Sequence, residues 1–383
     1  MLQIDFKQHN QEVKEVWDAY FAGNPIRVPM FIGINVRYYL LSPWLNPRKI
    51  DFQQYSEAPD LMMDTQLEFL CYVYHNIHQD AEMGMPKEAW NSVKVDLQNC
   101  YDAGWFGCPV RYHDGQVSDT EPILNDDNKR MLFDRGMPDP FRDGIMAKNL
   151  QFYERMKERA KTHTFHGIPI GEVYPAGLGS DGVFTAAANL RGAMEICMDI
   201  YEDPDYVHEL LDYLTEAIIL RIKAWRGLLG EPAPESLNFA DDSSQLLSCE
   251  AYREFVLPRH KRMIKELAGK GPHYVHLCGD AAHLFKIMRD ELNVMGFDTG
   301  FPIDFAKVRR ELGPEVQIKG GPSIHFLTGA TPEEVKDEVK RILATGIMEG
   351  GKFILREGNN LAPGAPENNI AAMYDAVREF GKY

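Results

Sequence analysis

The run HYVHLCGDAAHLFKIMRDELNVMGFDTG, residues 273–300, reads as strand, helix, strand. Its outer segments, 273–279 and 294–300, are short, largely apolar and closed by glycine, while the middle is a helix-forming run. Strands joined through a helix lie parallel, because an antiparallel return needs only a tight turn. The same alternation extends in both directions. GIPIGEV (167–173), SLNFADD (236–242), VQIKGG (316–321) and GKFILREGN (351–359) read as strands, with helical stretches separating them. Upstream, RVPMFIG (27–33) is the first strand and NSVKVDL (91–97) another. Around eight strands with intervening helices predict a (β/α)8 TIM barrel, with a doubly wound open sheet as the alternative.

Local signals support these elements. Asp203 before Pro204 is an N-cap with proline at N1, and Thr331 to Glu334 form a capping box. Residues 1–25 read as an N-terminal helical extension, and roughly 36–160 includes an insertion after the first strand. That insertion holds a helix over 56–77 and a hairpin around Asp114-Gly115. A final helix begins at Pro366. The whole chain, 1–383, is expected to form one domain.

Composition bounds the function. Hydrophobic residues at 44% and charged residues at 26% describe a globular chain with a sizeable core. A formal net charge of -16 argues against nucleic acid, whose recognition needs clustered Lys and Arg. The most apolar helical run, AIILRIKAW (217–225), is interrupted by Arg221 and Lys223, so no membrane span is expected. The N-terminus lacks a basic segment followed by an apolar one, and six cysteines in so long a chain read as reduced thiols. A cytoplasmic protein is the expectation.

In a barrel the strand C-termini share one site. Those ends carry Glu172, Asp241, Asp242, His276, Cys278, Asp298, Gly320, Gly321 and Glu357 to Asn359. His276 and Cys278 sit two apart and so point to the same face of their strand. Imidazole with thiolate is a zinc pairing, yet two ligands alone also suit a packed strand with a hydrogen-bonded histidine. Asp241 and Asp242 read as acid/base carboxylates, as metal ligands, or as a capping cluster before the next helix. Asp298 either orients a ligand or starts a turn. The paired glycines bring backbone close to a ligand. Arg37 and Tyr38 follow the first strand, where aromatic groups stack on a flat substrate or join the core.

Four stretches resemble the uroporphyrinogen decarboxylase superfamily, and within it the corrinoid-dependent methyltransferase branch. They are HLCGD (276–280), GFDTG followed by IDFAKVRRELG (296–313), GGPSIHFLTGATPEEV (320–335) and ILREGNNLAPGAPENNIAAM (354–373). The resemblance implies a uroporphyrinogen decarboxylase-like barrel and a zinc held by the His-x-Cys pair plus a later cysteine. Counting back from Ala365-Pro366-Glu367-Asn368, the expected cysteine position holds Asn359. Either Glu357, Asp241 or Asp242 then completes the metal site, or the site has lost its metal and kept the pocket.

The implied activity is methyl transfer between a small donor, such as a methyl ether in an O-demethylase, and a corrinoid on a separate protein. The chain itself has no D-x-H-x-x-G corrinoid stretch. Three alternatives stand beside it. A decarboxylase-like lyase needs an arginine-rich mouth, whereas GINVRYYLLSPW (33–44) offers Arg37 alone. Transfer from methyl-corrinoid to a thiol or tetrahydrofolate suits zinc-bearing relatives. A non-catalytic corrinoid-protein-binding module requires no acid at all. The expected site therefore comprises Asp241, Asp242, Glu357 and Asp298 as catalytic groups, Arg37, Tyr38, Asn359 and Gly321 around the substrate, and His276 and Cys278 on metal.

Overall fold

The computed structural model describes residues 4–383. Five parallel strands form a continuous ladder in chain order: β1 (Asn238–Ala240), β2 (His273–Leu277), β3 (Val294–Thr299), β4 (Gln317–Gly320) and β5 (Phe353–Leu355). Helices Leu257–Leu267, Ala282–Leu292, Phe305–Leu312 and Pro332–Ile342 lie between consecutive strands. Strand register explains the two faces. Asn238, Tyr274, Gly296 and Gln317 align in one row, and Ala240, His276, Asp298 and Lys319 in the next. The alternating residues Val275, Phe297, Ile318 and Phe353 are buried under the helices, with Phe297 against Phe285 and Phe353 against Phe305. The outer face therefore carries the apolar side chains, and the barrel interior receives polar ones.

Three further extended segments lie outside this ladder and pair through isolated bridges, and with the five ladder strands they make eight. Residues 27–33 pair with β5 through the Met30–Leu355 bridge, and residues 90–94 run parallel to 170–174. These pairings are short for identifiable reasons. Pro29 has no N–H to donate, and beside it the side chains of Asp80 and Gln79 accept from the N–H groups of Met30 (2.7 Å) and Ile32 (2.8 Å). Side chains thus do there what a neighbouring strand does elsewhere. The architecture is the (β/α)8 barrel that the alternation implied.

One expected strand is built differently. The first half of GIPIGEV forms a hairpin, Thr164–Phe165 against Ile168–Pro169, because His166 and Gly167 both adopt positive φ (51° and 76°). Only after it does the chain turn parallel, and Glu172 is left exposed, bonded to the Tyr174 hydroxyl. The hairpin around Asp114-Gly115 is present as Val110–Arg111 against Asp119–Thr120.

The N-terminal helix Phe6–Phe21 is capped by Asp5 and packs on the barrel end away from the site. Its Tyr20 accepts from Gln317 at the start of β4, and Trp17 donates to Asp80 O. No helix among the described residues is long and apolar enough to cross a membrane.

Candidate active site

The upper interior row and the turns just above it hold the polar chemistry. His276 is in β2, and Cys278 follows the strand by one residue. Asp242 opens the 3-10 turn after β1, and its Oδ1 accepts from the Cys278 backbone N–H at 2.8 Å. This bond draws the two strand ends together. Ligand atoms of Asp242, His276 and Cys278 all lie within 4.8 Å of one another. Asp298, the β3 neighbour of His276 in register, brings Oδ2 to 3.2 Å from His276 Nδ1. With Nδ1 holding the proton toward Asp298, Nε2 is the nitrogen left to act.

Arg356, next to Glu357 at the end of β5, closes the charge network. It pairs with Asp298 and with Glu357 (2.6 Å), and it donates to Asn359 O (2.6 Å). Burial favours the neutral forms of Asp298 and His276, but their mutual hydrogen bond outweighs it. The Asp298 carboxyl is held below its usual range, with help from Arg356, and the His276 imidazole is raised above its own. Burial and then the adjacent Asp242 push the Cys278 thiol up to about 12, so without a nearby cation it stays protonated.

The remaining expected residues have other surroundings. Asp241 is fully buried and accepts from Phe184 N (3.1 Å), Thr185 N (2.7 Å), Thr185 Oγ1 (2.8 Å) and His260 Nε2 (3.0 Å). It caps the helix Val183–Arg191, with no oxygen left for a substrate. Glu357 is also fully buried and receives the Gly33 N–H on both oxygens at 3.0 Å. Burial pushes its carboxyl up to about 7 in spite of Arg356. Arg37 is held by Gln98 (2.6 Å) and Asn99 (2.8 Å), and buried Tyr38 donates to Ala365 O. At Gly321 a side chain would meet Arg356 O at 2.0 Å, so this glycine permits β4 and β5 to converge at the mouth. Asn359 sits at φ 94°, a conformation rarely tolerated outside glycine.

Sequence reasoning passed over three charged residues. Arg356 stands one position before the strand-end residues that were considered, and Lys319 lies beside Asp298 in register. Asp181, in the GLGSDG turn (177–182), has a buried oxygen without a partner. Extending each strand end by a residue would have found Arg356. Nothing in the local pattern marks Asp181.

Comparison with known proteins bears on family and fold. The profile of the family described as Uroporphyrinogen decarboxylase (URO-D) matches residues 105–380. The methylated-thiol–coenzyme M methyltransferase of Methanosarcina mazei is 28% identical over 200 residues, 51% of either chain. A uroporphyrinogen decarboxylase of Actinobacillus pleuropneumoniae is 30% identical over 190 residues, 48% of this chain and 51% of its own. The chain thus spans about half the length of the curated relatives it matches. A solved methyltransferase structure from Methanosarcina mazei superposes with a TM-score of 0.64 at 20% identity, covering 96% of this chain and 98% of that one, which establishes the shared fold.

Proposed function

We propose for this chain, which belongs to the uroporphyrinogen decarboxylase (URO-D) family, the role of a methyltransferase that moves a methyl group from a small donor to a corrinoid on a separate protein. The observation that carries this reading is the convergence of Asp242, His276 and Cys278 at the barrel mouth. One oxygen, one nitrogen and one sulfur donor suit zinc, with Asp298 behind His276 as the orienting carboxylate. Asp242 is then the third ligand, in a chain that has Asn359 where the resemblance implies a cysteine. Bound there, zinc would supply Lewis acidity and keep Cys278 as a thiolate. The chain's own residues bind and orient: Asp242 and His276 fix the donor geometry, and the Arg356 network fixes Asp298.

The O-demethylase direction is favoured because a three-ligand site with an oxygen donor is a stronger Lewis acid than a thiolate-rich one. Such a site suits polarising an ether oxygen. A decarboxylase needs free cations for a polycarboxylate substrate. Arg356 is instead committed to Asp298 and Glu357, and Arg37 to Gln98 and Asn99.

Two measurements test the proposal. Elemental analysis should find about one zinc per chain in the wild type and little in His276→Ala or Asp242→Ala. Reduced cobalamin mixed with protein and a methoxyarene should be methylated in the presence of wild type alone. A metal-free wild type with full activity ends the zinc assignment, and no methylation with any ether tried ends the demethylase reading.

A further inference from the structure

The GLGSDG turn is fixed by a buried ion pair. Asp102 and Arg221 are both fully buried and bonded to each other. Asp102 Oδ2 accepts from Ser180 Oγ (3.0 Å) and from the Asp181 N–H (2.7 Å), while Arg221 donates to Gly179 O (2.7 Å). The guanidinium also lies over the rings of Tyr101 and Trp105, at 5.3 and 5.0 Å. Backbone on either side of Asp181 is thereby held, and its side chain is aimed rather than free to swing.

Its surroundings are those of the site. Gly182, the next residue, packs on the end of β1, where a Cβ would stand 2.4 Å from Ala240 O and from the Asp241 carboxyl carbon, and this sets Asp181 beside the strand end that leads into Asp242, with the Tyr101 hydroxyl next to its carboxyl. Oδ2 is enclosed and has no hydrogen-bond partner. Polar atoms in such places are nearly always paired, so an unpaired one asks for a ligand atom. Among the other carboxyls Asp298 also keeps one enclosed oxygen without a partner, but its second oxygen is held by His276 and Arg356, which keep the group ionised and leave it no proton to give. Asp241 has four donors, Glu357 holds Gly33 and Arg356, and Asp242 accepts from Cys278. Burial, with Asp102 nearby, lifts the Asp181 carboxyl well above the usual range, so it carries a proton to give.

We propose that Asp181 is the catalytic proton donor to the departing oxygen, and that the methyl donor is accordingly an ether of a weakly acidic phenol or alcohol. This rests on the methyl-transfer reading above. In the step, the methyl C–O bond breaks with its electron pair staying on oxygen. The methyl carbon passes to a reduced corrinoid acceptor, which supplies the electron pair for the new bond. The proton on Asp181 Oδ2 moves to the oxygen, giving the free phenol or alcohol and an Asp181 carboxylate that solvent reprotonates.

The test compares wild type with Asp181→Asn, which keeps the shape and loses the proton. Cob(I)alamin is the acceptor, its visible spectrum the readout, and methoxybenzene and 4-nitromethoxybenzene the donors. Asp181→Asn should be about a hundredfold slower with methoxybenzene and within about threefold of wild type with the nitro ether, whose leaving group needs no proton. Calorimetric binding of phenol should be retained, which shows an intact pocket. Equal losses on both ethers, or no loss, overturn the proton donor while leaving methyl transfer standing. A wild type inactive on both ethers removes the methyl-transfer reading and this proposal together.

Discussion

His276 illustrates how much a single neighbour decides. Its spacing from Cys278 is legible in the sequence, because i and i+2 share a strand face, and their ligand atoms do converge. Asp298 is one strand away, and only register brings its Oδ2 to 3.2 Å from the imidazole. If His276 binds zinc, Asp298→Asn should weaken the metal by about 10 to 100-fold in a chelator competition, as loss of an orienting carboxylate does elsewhere. Unchanged affinity would show that Asp298 serves only Arg356. The sequence also left Asp241 and Asp242 unseparated. Their chemistry is identical, and what divides them is a turn that sends one carboxyl to the helix Val183–Arg191 and the other to Cys278. Gly296 is a quieter case. A Cβ there would stand 2.2 Å from the Tyr274 ring, so Gly296→Ala should cost about 1–3 kcal/mol in urea unfolding, and a neutral outcome would mean that Tyr274 moves freely.

At the scale of elements, end signals separate what sequence reveals from what it hides. The Thr331 capping box and the Asp203 cap were legible because each uses residues adjacent in the chain. Asp241 does the same work for a helix more than fifty positions earlier, and no local pattern records that. It also holds His260, which is 1% exposed. Asp241→Ala should therefore destabilise the protein by about 3 kcal/mol, against about 1 for Thr331→Ala, since it strands a buried histidine as well as a helix terminus. Equal midpoint shifts for the two variants in urea would refute the distinction. Strand alternation carried the parallel ladder, whereas the short pairings around residues 27–33 and 90–94 depend on side chains such as Asp80 and Gln79 acting as strand partners.

At the scale of the whole molecule, the barrel was legible because its period is written repeatedly, but its closure was not. Where the last strand meets the first, Glu357 reaches from the end of β5 to the Gly33 N–H, and Arg356 braces it. A carboxyl at that seam ties stability to pH. Its ordinary value is 4.5, and in the fold burial raises it to about 7. Below 4.5 both folded and unfolded chains hold the proton, and the seam is at its most stable. As pH rises through this window the unfolded chain releases the proton first, so stability falls with pH and levels off above about 7. The size of that loss is on the order of a few kcal/mol. Glu357→Gln keeps an oxygen for Gly33 and cannot ionise, so the difference in unfolding free energy between variant and wild type should shift in the variant's favour from pH 5 to pH 8. Parallel stability curves for the two proteins across that range would show that Arg356 keeps Glu357 ionised throughout, and that the seam is held by an ion pair rather than by a shared proton.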